Sequence, residues 1–404
     1  MRVLVTGASG YIGSRLVAAL LAAGDSVHAA SRNPESLDAF DWSPLVETVE
    51  LDASDPESLR AAFQSLSLDD PSRNDPAGID VAYYLVHTIG ESEYRDRDLT
   101  AAQQFAEAAA SAGVRRIVYL GGFVPDDEEL SEHLASRADV GEALAVDGVE
   151  VVWLRAAIVL GAGSTSYEML RYLADRLPVL PLPGWLGHPV QPIAVDDVLF
   201  YLLAARAAVP PGAYDIGGPD RVPYRDLLFA YVEAAGLTRI GLSTPGVPTS
   251  LAGRVIGKII PVPDALAEDL VGSLHNTMTT SEDRIVEIAG EPDGGRTTIE
   301  DAMRRSLQGT ADTPPGVMAS KDPLRLAITD APWSGGDALG IRRYGVAASS
   351  RQTWHLVESL GARALLYSWP VAAVLRTNLD VVDGVSDRAR SAIRRVFHDR
   401  KRET

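Results

Sequence analysis

Short apolar runs alternate with segments of helical periodicity along the first 160 residues of the chain. Strand-like segments cover residues 2–6, 26–30, 47–51, 81–86, 116–120 and 151–154, and the apolar runs among them are typical of buried strands. Between them, apolar side chains recur with the period of a helix in residues 11–23, 56–66 and 98–112. Strands and helices that alternate in this way predict an α/β fold with a doubly wound parallel sheet.

A glycine-rich loop joins the first predicted strand to the first predicted helix. Gly7 permits the tight turn, Gly10 lets the backbone approach a pyrophosphate, and Gly13 lets the helix pack closely. The start of the helix then offers free N–H groups and a positive dipole end to phosphates. This context predicts a Rossmann-type dinucleotide site, and a structural loop without a ligand is the alternative. The predicted contacts in this loop also include Ser9, Tyr11 and Ile12.

The residues after the second predicted strand bear on the choice of cofactor. Proteins that prefer NAD carry an acid here, which holds the ribose 2′-hydroxyl. This chain has Ser31 and Arg32 instead, and an arginine pairs with a 2′-phosphate through a charge-assisted bond. We therefore predict NADP(H) as the cofactor. NAD(H) is the alternative, in which case Arg32 is an ordinary surface residue.

Short motifs follow one another in a fixed order along residues 1–300. They are TGASGYIG at 6–13, YYLVHT at 83–88, RRIVYLGG at 115–122, HLASRADVGEAL at 133–144, LRAAIVLG at 154–161, QPIAVDDV at 191–198 and YDIGGPD at 214–220. In their order and spacing they resemble the atypical branch of the short-chain dehydrogenase/reductase superfamily. The resemblance is closest to NAD(P)H-binding proteins related to the nitrogen-metabolite-repression regulators and the isoflavone reductases.

The resemblance implies roles for residues at the strand ends. In such proteins the glycine motif holds the pyrophosphate, and an acid at the position of Asp52 meets the adenine amino group. The end of the fourth strand, here Val86, His87 and Thr88, lines the ribose and the nicotinamide. Gly121 ends the fifth predicted strand at the same edge of the sheet, so we expect it beside the cofactor as well.

The catalytic pattern of that superfamily, a serine followed by Tyr-x-x-x-Lys, is altered in this chain. His133 stands for the tyrosine, Arg137 for the lysine, and Gly121 or Gly122 for the serine. In one interpretation His133 carries the proton, since imidazole titrates near neutral pH, and Arg137 holds the ribose or a developing negative charge. In the other, His133 is a polar residue of the first helical turn, and only Arg137 touches the cofactor.

Other chemistry finds little support in the sequence. The chain has no G-x-S-x-G, H-E-x-x-H or EF-hand pattern. Asp196 and Asp197 are expected at a helix start, and residues 126–129 in a solvated acidic loop, so we predict no metal. The phenols of Tyr83, Tyr84 and Tyr119 lie in predicted strands and are expected in the core.

Residues 161–308 are expected to form a smaller substrate lobe beside the NAD(P)-binding domain of residues 1–160, to which segments from 190–220 return. Residues 177–192 are rich in proline and leucine and contain neither arginine nor lysine. Met169, Tyr172 and Trp185 are candidates for the walls of an apolar pocket, and ordinary packing between lobes is the alternative. The predicted substrate is an apolar small molecule such as an enone, a quinone or a terpenoid.

Residues 309–404 differ from the rest of the chain in their sequence pattern. Residues 309–322 are typical of a linker, and residues 323–404 form an α-rich or α+β extension that resembles the first part of a helix-grip domain fused to such proteins. The final segment, 388–402, predicts a basic amphipathic helix. We expect it either at an anionic membrane surface or packed against protein, including the acidic remainder of this chain.

Composition narrows the choice of function. The net charge of −18 argues against a nucleic-acid-binding protein, and the absence of cysteine excludes disulfides. No secretory leader is apparent, so a cytoplasmic protein, with peripheral membrane contact as an addition, is expected. The leading hypothesis is an NADP(H)-dependent oxidoreductase. The alternatives are a non-catalytic NADP(H)-binding redox sensor or scaffold and, third, an NAD(P)-dependent epimerase or isomerase; the oligomeric state is left open.

Overall fold

The computed structural model describes residues 1–67, 78–87, 94–125, 130–244, 246, 248, 252 and 271–308. Its strands are Arg2–Val5 (β1), Ser26–Ser31 (β2), Glu47–Glu50 (β3), Val81–Tyr84 (β4), Arg116–Gly122 (β5), Glu150–Ala156 (β6), Val159–Leu160 (β7), Val179–Leu182 (β8), Pro189–Val190 (β9), Ile193–Ala194 (β10), Gly212–Ile216 (β11), Val222–Pro223 (β12) and Ile240–Ser243 (β13). Its helices are Tyr11–Ala22 (α1), Pro56–Ser67 (α2), Tyr94–Ser111 (α3), Glu132–Ala143 (α4), Thr165–Arg176 (α5), Val195–Ala205 (α6), Tyr224–Ala234 (α7), Arg284–Ala289 (α8) and Ile299–Gln308 (α9).

Seven of these strands form one sheet in the order β11-β6-β5-β4-β1-β2-β3. All six neighbouring pairs are parallel, and Val3 of β1 lies beside both Val27 of β2 and Val81 of β4. The chain therefore runs outward from β1 in one direction and then in the other. This reversal places a crevice at the carboxyl ends of β1 and β4, where doubly wound sheets bind their ligands.

Helices cover both faces of the sheet. Helices α1 and α6 pack on one face over the apolar side chains of β1 and β6, and α2, α3 and α4 pack on the other. The central strands β1, β4 and β5 are buried on both faces, which explains their apolar runs in the sequence, whereas the edge strand β3 is mostly exposed. The predicted α/β fold with a doubly wound parallel sheet is confirmed.

A second hydrophobic core lies beyond the sheet. It joins α5, α7 and α9 with three two-stranded sheets, which pair β7 with β10, β8 with β13 and β9 with β12. Its buried side chains come from residues 123–303. The core on the α1 side of the sheet includes β11 and Ile285, so these later parts of the chain belong to the nucleotide-binding half. The exact division at residue 160, like the end of the second lobe at 308, stays a prediction.

Some elements differ from their predicted bounds. β4 ends at Tyr84 rather than at Val86, so Val86 and His87 follow the strand in irregular backbone. β5 and β6 each continue to seven residues, and β5 thereby carries Gly121 and Gly122 inside the sheet. The predicted linker, the C-terminal extension and the basic segment 388–402 lie outside the described residues, as do residues 68–77. Among the helices that the structure describes, none combines the length and the apolar character needed to cross a bilayer.

Candidate functional site

The glycine loop adopts a conformation that depends on missing side chains. Gly7 has φ of +64°, and a Cβ atom there would lie 2.8 Å from the carbonyl oxygen of Leu85. A Cβ atom on Gly13 would overlap the carbonyl group of Gly7, so α1 packs on the loop itself. Gly10 occupies the N-cap of α1 without a side-chain cap, which leaves the first N–H groups of the helix free for an anion. The cradle therefore fits a dinucleotide pyrophosphate. Around it, Ser9 is exposed and Ile12 is half-buried.

Tyr11 points away from this cradle, toward the second lobe. Its hydroxyl is buried without a hydrogen-bond partner and lies where a side chain on Gly161 would stand. Burial raises the pKa of this phenol, an effect that the nearby Arg15 partly offsets. The Arg15 guanidinium stacks 4.0 Å from the centre of the Tyr11 ring and donates to the carbonyl oxygens of Tyr11 and Ala162. Arg15, which the sequence analysis missed, thus ties the cofactor helix to the start of the second lobe.

The carboxyl end of β2 presents a polar turn with one exposed cation. The Ser31 hydroxyl lies 3.3 Å from that of Ser36 and donates to the carbonyl oxygen of Asn33. Arg32 is exposed, and within the described part of the chain its guanidinium forms no ion pair or hydrogen bond. Hydrogen bonds from Ser54, together with the charge of Arg32, outweigh the effect of burial and lower the pKa of Asp52. Arg32 and Asp52 therefore lie close together at this edge of the sheet.

The residues after β4 lie at the switch point of the sheet. The Leu85 N–H donates to the Thr6 hydroxyl at 3.1 Å, which fixes the backbone next to the glycine loop. Val86 is half-buried, and His87 keeps an exposed surface. The surrounding protein nevertheless desolvates His87, and together with the charges of Arg137 and His133 this lowers its pKa well below the usual value. Thr88, also predicted to contact the cofactor, lies outside the described residues.

The end of β5 shows why glycines replace the serine of the superfamily pattern. A Cβ atom on Gly121 would lie 2.5 Å from Nε1 of Trp153 and 2.8 Å from the Tyr119 ring. At Gly122 the nearest atoms would be Cδ2 of Leu134, at 3.2 Å, and Cγ of Arg137, at 3.6 Å. Position 121 is thus filled by aromatic side chains, whereas position 122 faces α4. Tyr83, Tyr84 and Tyr119 are all buried, as expected of core residues.

Helix α4 is anchored at its start by a network that reaches into the second lobe. Ser131 is the N-cap, and its hydroxyl accepts from the Leu134 N–H at 3.3 Å. The same hydroxyl lies 2.9 Å from that of Ser273, and the Ser131 N–H donates to Oδ1 of Asn276. The N-cap serine is visible in the sequence, but its partners lie more than 140 residues away. The network fixes the first turn of α4, which carries His133.

His133 and Arg137 lie one turn apart on α4, as predicted, and His87 faces them from the segment after β4. Burial and the charge of Arg137 lower the pKa of His133 to about 3. Both histidines are therefore neutral at pH 7, so titration near neutrality does not support His133 as the proton carrier, and its catalytic role stays a prediction. A neutral imidazole still donates one hydrogen bond, and Nδ1 of His133 is buried without a partner in the described structure.

The Arg137 side chain is buried, with 8% of the residue exposed. Its carbonyl oxygen accepts from the Tyr119 hydroxyl at 3.2 Å, which holds the helix against β5. The Tyr119 hydroxyl also interacts with the Arg137 side chain, but within the described residues the guanidinium forms no ion pair with a carboxylate and no hydrogen bond with a carbonyl group. A buried cation without an anionic partner is costly, so it marks a place where a ligand is expected.

The three candidates for a pocket wall lie in the second core. Met169, Tyr172 and Trp185 are 4%, 3% and 8% exposed, all within one cluster of buried side chains. Tyr172 is flanked by the guanidinium groups of Arg171 and Arg176, at 4.3 and 4.9 Å from its ring centre. Their surroundings are those of packed core residues, and a contact with substrate stays a prediction.

The acidic pair of α6 has a structural role. Asp197 accepts from the N–H and the hydroxyl of Thr297 at 2.7 and 2.9 Å, and Asp196 lies 3.6 Å from Arg305. Both carboxylates lie in the first helical turn, as expected. No group of three or more metal-binding side chains occurs among the described residues.

Comparisons with known proteins agree with this geometry. The profile of a protein family described as NAD(P)H-binding matches residues 7–156, from the glycine loop to the end of β6. A nucleoside-diphosphate-sugar epimerase from Staphylococcus aureus has a similar fold, with a TM-score of 0.59, 16% identity and coverage of 75% of this chain and 100% of that one. At this identity the likeness concerns the fold alone.

Relatives in sequence cover different shares of their own length. The chain spans only 23% of an uncharacterised protein of Mycobacterium bovis, with 27% identity over 234 residues and 57% of this chain. It is 28% identical over 291 residues to a 3-diazoavenalumate denitrifying reductase of Streptomyces, which covers 64% of this chain and 88% of that protein. It is 30% identical over 292 residues to a 3 beta-hydroxysteroid dehydrogenase/Delta 5→4-isomerase of Mycobacterium tuberculosis, which covers 62% of this chain and 75% of that protein. The chain belongs to the short-chain dehydrogenase/reductase superfamily, as an atypical NAD(P)-binding member.

Proposed function

We propose that this protein is an NADP(H)-dependent oxidoreductase that acts on a small, largely apolar molecule. The observation that carries the proposal is the meeting of two features at one edge of the sheet. The glycine cradle at β1 fits a pyrophosphate, and the cluster of His87, His133 and Arg137 lies at the ends of β4 and β5, where the other half of a dinucleotide would reach.

The preference for NADP(H) is supported by the turn after β2. Arg32 is exposed and without an ion pair in the described structure, and the hydroxyls of Ser31 and Ser36 lie beside it. A 2′-phosphate would gain charge-assisted hydrogen bonds from these groups. Positions 32 and 33, directly after β2, carry no carboxylate that would hold a free 2′-hydroxyl of NAD in the usual way.

A bound nicotinamide would supply the hydride that an oxidoreductase transfers. In this chain Arg137 and neutral His133 would bind an oxygen-bearing group of the substrate and orient the substrate beside the nicotinamide. Because neither histidine is protonated at neutral pH, the proton that completes a reduction would come from solvent. The names of two relatives, a reductase and a dehydrogenase, support redox chemistry without naming the substrate of this protein.

Titration of the purified protein with NADPH and NADH, followed by nicotinamide fluorescence, tests the first half of the proposal. Apolar enones, quinones and terpenoid carbonyl compounds are then added to the reduced complex. Oxidation of NADPH by any of them, lost in Arg137→Gln but kept in the distant variant Arg60→Gln, supports an oxidoreductase. Stronger binding of NADH would contradict the role given to Arg32, and no binding of either would remove the proposal.

The second candidate function is a non-catalytic NADP(H)-binding sensor or scaffold. It is favoured by the loss of the Tyr-x-x-x-Lys pair and by the depressed pKa values of both histidines, which leave the site without an ordinary proton carrier. Tight NADPH binding with no turnover of any compound would favour this function over the first. An epimerase or isomerase ranks third, and substrate conversion without net oxidation of NADPH would identify it.

The basic segment 388–402 remains a candidate for contact with an anionic membrane or with protein, since it combines seven Lys or Arg residues with one acid. Pelleting with anionic liposomes, compared between the full chain and a variant that ends at residue 387, distinguishes the two. Loss of pelleting on truncation supports the membrane contact, and equal pelleting contradicts it.

A further inference from the structure

We propose that the substrate carries an anionic group, most simply a carboxylate, that binds Arg137. The inference rests on the proposed function and refines its substrate class: a small molecule with an apolar body and one negatively charged end. It starts from the charge balance at the end of β5, where the buried cation of Arg137 has no carboxylate or carbonyl partner among the described residues.

The buried arginines elsewhere in the nucleotide-binding half set the standard for comparison. Arg116 pairs with Glu150 and also donates to the carbonyl oxygens of Ala205 and Val209. Arg15, equally buried, donates to two carbonyl oxygens. Within the described part of the chain, Arg137 has neither an ion pair nor a carbonyl acceptor, although it is as deeply buried as the other two.

The neighbours of Arg137 do not neutralise it. Burial, together with the positive charge of Arg137, lowers the pKa values of His87 and His133. Imidazole carries no negative charge in either protonation state, so neither histidine can neutralise Arg137. On α3, Asp98 acts on the same two tyrosines as Arg137, Tyr84 and Tyr119, but it forms no ion pair with Arg137. Asp139 of α4 is already paired with Arg95, at 2.6 Å.

The donors around Arg137 suit a small planar anion. Gly122 presents no side chain here, and Cδ2 of Leu134 and Cγ of Arg137 lie 3.2 and 3.6 Å from where its Cβ would stand. A guanidinium binds a carboxylate through two parallel hydrogen bonds. The N–H of a neutral histidine adds a third donor, and because this histidine is uncharged it does not repel the guanidinium. The apolar remainder of such a molecule would then extend toward the second lobe.

The inference separates Arg137 from a residue that only holds the ribose. The ribose is neutral. If Arg137 only holds the ribose, the protein should bind an acid and an amide of the same shape equally well. A carboxylate ligand that loses Arg137 loses a charge-assisted pair, which is worth about 1.5–3 kcal/mol, or roughly 10- to 100-fold in affinity.

Matched pairs of carboxylic acid and primary amide test it: benzoate and benzamide, cinnamate and cinnamamide, geranate and geranamide. Calorimetric titrations are made with the full chain, both free and saturated with NADP⁺. We expect at least one acid to bind about 10-fold or more tightly than its amide, and the difference to fall below about twofold in Arg137→Gln. Arg137→Lys, which keeps the charge, and Arg95→Gln, which removes a charge outside the cleft, should keep the preference.

Equal binding of acid and amide throughout the panel would overturn the inference, as would an acid preference that survives in Arg137→Gln. If Arg137→Gln instead weakens NADP⁺ binding and no acid is preferred, Arg137 is a ribose ligand and the inference fails. Failure of the proposed function has another signature: the wild-type chain would not bind NADP⁺ or NADPH, while the acid preference of the free protein could still be measured. Circular dichroism and the melting temperature confirm that each variant is folded.

Discussion

The cofactor end of the cleft is built from bare backbone, whereas the end near α4 is built from buried ionisable side chains. At the first, Gly7, Gly10 and Gly13 clear the space and the helix start supplies the donors. At the second, His133 and Arg137 lie in a poorly solvated environment where their charge states depend on one another. Binding at the glycine loop depends on the shape of the backbone, which tolerates almost no added atom. Binding near α4 depends on the charge of Arg137, which a ligand would neutralise.

The largest effect is expected from Gly13→Ala. The added methyl would overlap the carbonyl group of Gly7, so α1 must move away from the loop and the row of free N–H groups loses its alignment. We expect NADPH binding to weaken by about 100-fold or more, together with a destabilisation of roughly 1–3 kcal/mol. Fluorescence titration and urea denaturation measure the two effects.

Gly184→Ala is the matched control, because a Cβ atom at Gly184 would meet no atom within 4 Å. It should bind NADPH as the wild type does. If Gly13→Ala also binds NADPH within about threefold of the wild type, the glycine loop tolerates an added methyl group better than its geometry indicates.

The next largest effect is expected where the chain would bind the 2′-phosphate of NADPH. Arg32→Glu replaces the exposed cation after β2 with an anion, which would repel a 2′-phosphate and could accept from a 2′-hydroxyl. NADPH affinity should fall by about 100-fold, equivalent to roughly 2.7 kcal/mol, while NADH affinity stays level or improves. The same substitution at Arg60, exposed on α2, serves as the control for net charge. An equal loss for both cofactors would show that Arg32 does not read the phosphate.

The contrast between the two ends also explains what the sequence could predict. Gly7 and Gly13 were assigned correctly because a strand, a loop and a helix follow one another within a dozen residues, so local rules suffice. The state of His133 depends on burial, which β4, β5 and the second lobe create together. The link from Ser131 to Ser273, or from Tyr11 to Gly161, joins residues far apart in the chain, and no local pattern contains it. For the same reason the free charge of Arg137 became visible only with the fold.

Acid should destabilise the folded protein through the buried histidines near α4, since the glycine loop has no group that titrates in this range. Since the pKa of His133 is lowered to about 3 in the folded chain, the unfolded chain binds a proton there first, below pH 6.5. The free energy of unfolding should therefore fall as the pH drops from about 6.5 toward 3, by at most about 1.4 kcal/mol per pH unit for this histidine. His87, whose pKa is also lowered, acts in the same direction. Urea denaturation at several pH values measures the slope.

His133→Asn removes the titrating group and should make the stability less dependent on pH in this window. The exposed histidine of the second lobe, His275, provides the control as His275→Asn. A slope that is unchanged in His133→Asn but reduced in His275→Asn would place the acid sensitivity outside the cleft.

The smallest effect distinguishes two neighbouring glycines that the superfamily pattern would treat alike. Gly121→Ser would bring a Cβ atom to 2.5 Å from Nε1 of Trp153, so the buried aromatic rings must shift, at a cost of roughly 1–3 kcal/mol. Gly122→Ser meets only the flexible end of Leu134, at 3.2 Å, and should cost less than about 1 kcal/mol. Its hydroxyl would stand beside Arg137, the position from which a serine could take part in the chemistry. If the two variants are destabilised in the reverse order, the aromatic packing behind β5 is looser than the contacts of Gly121 require.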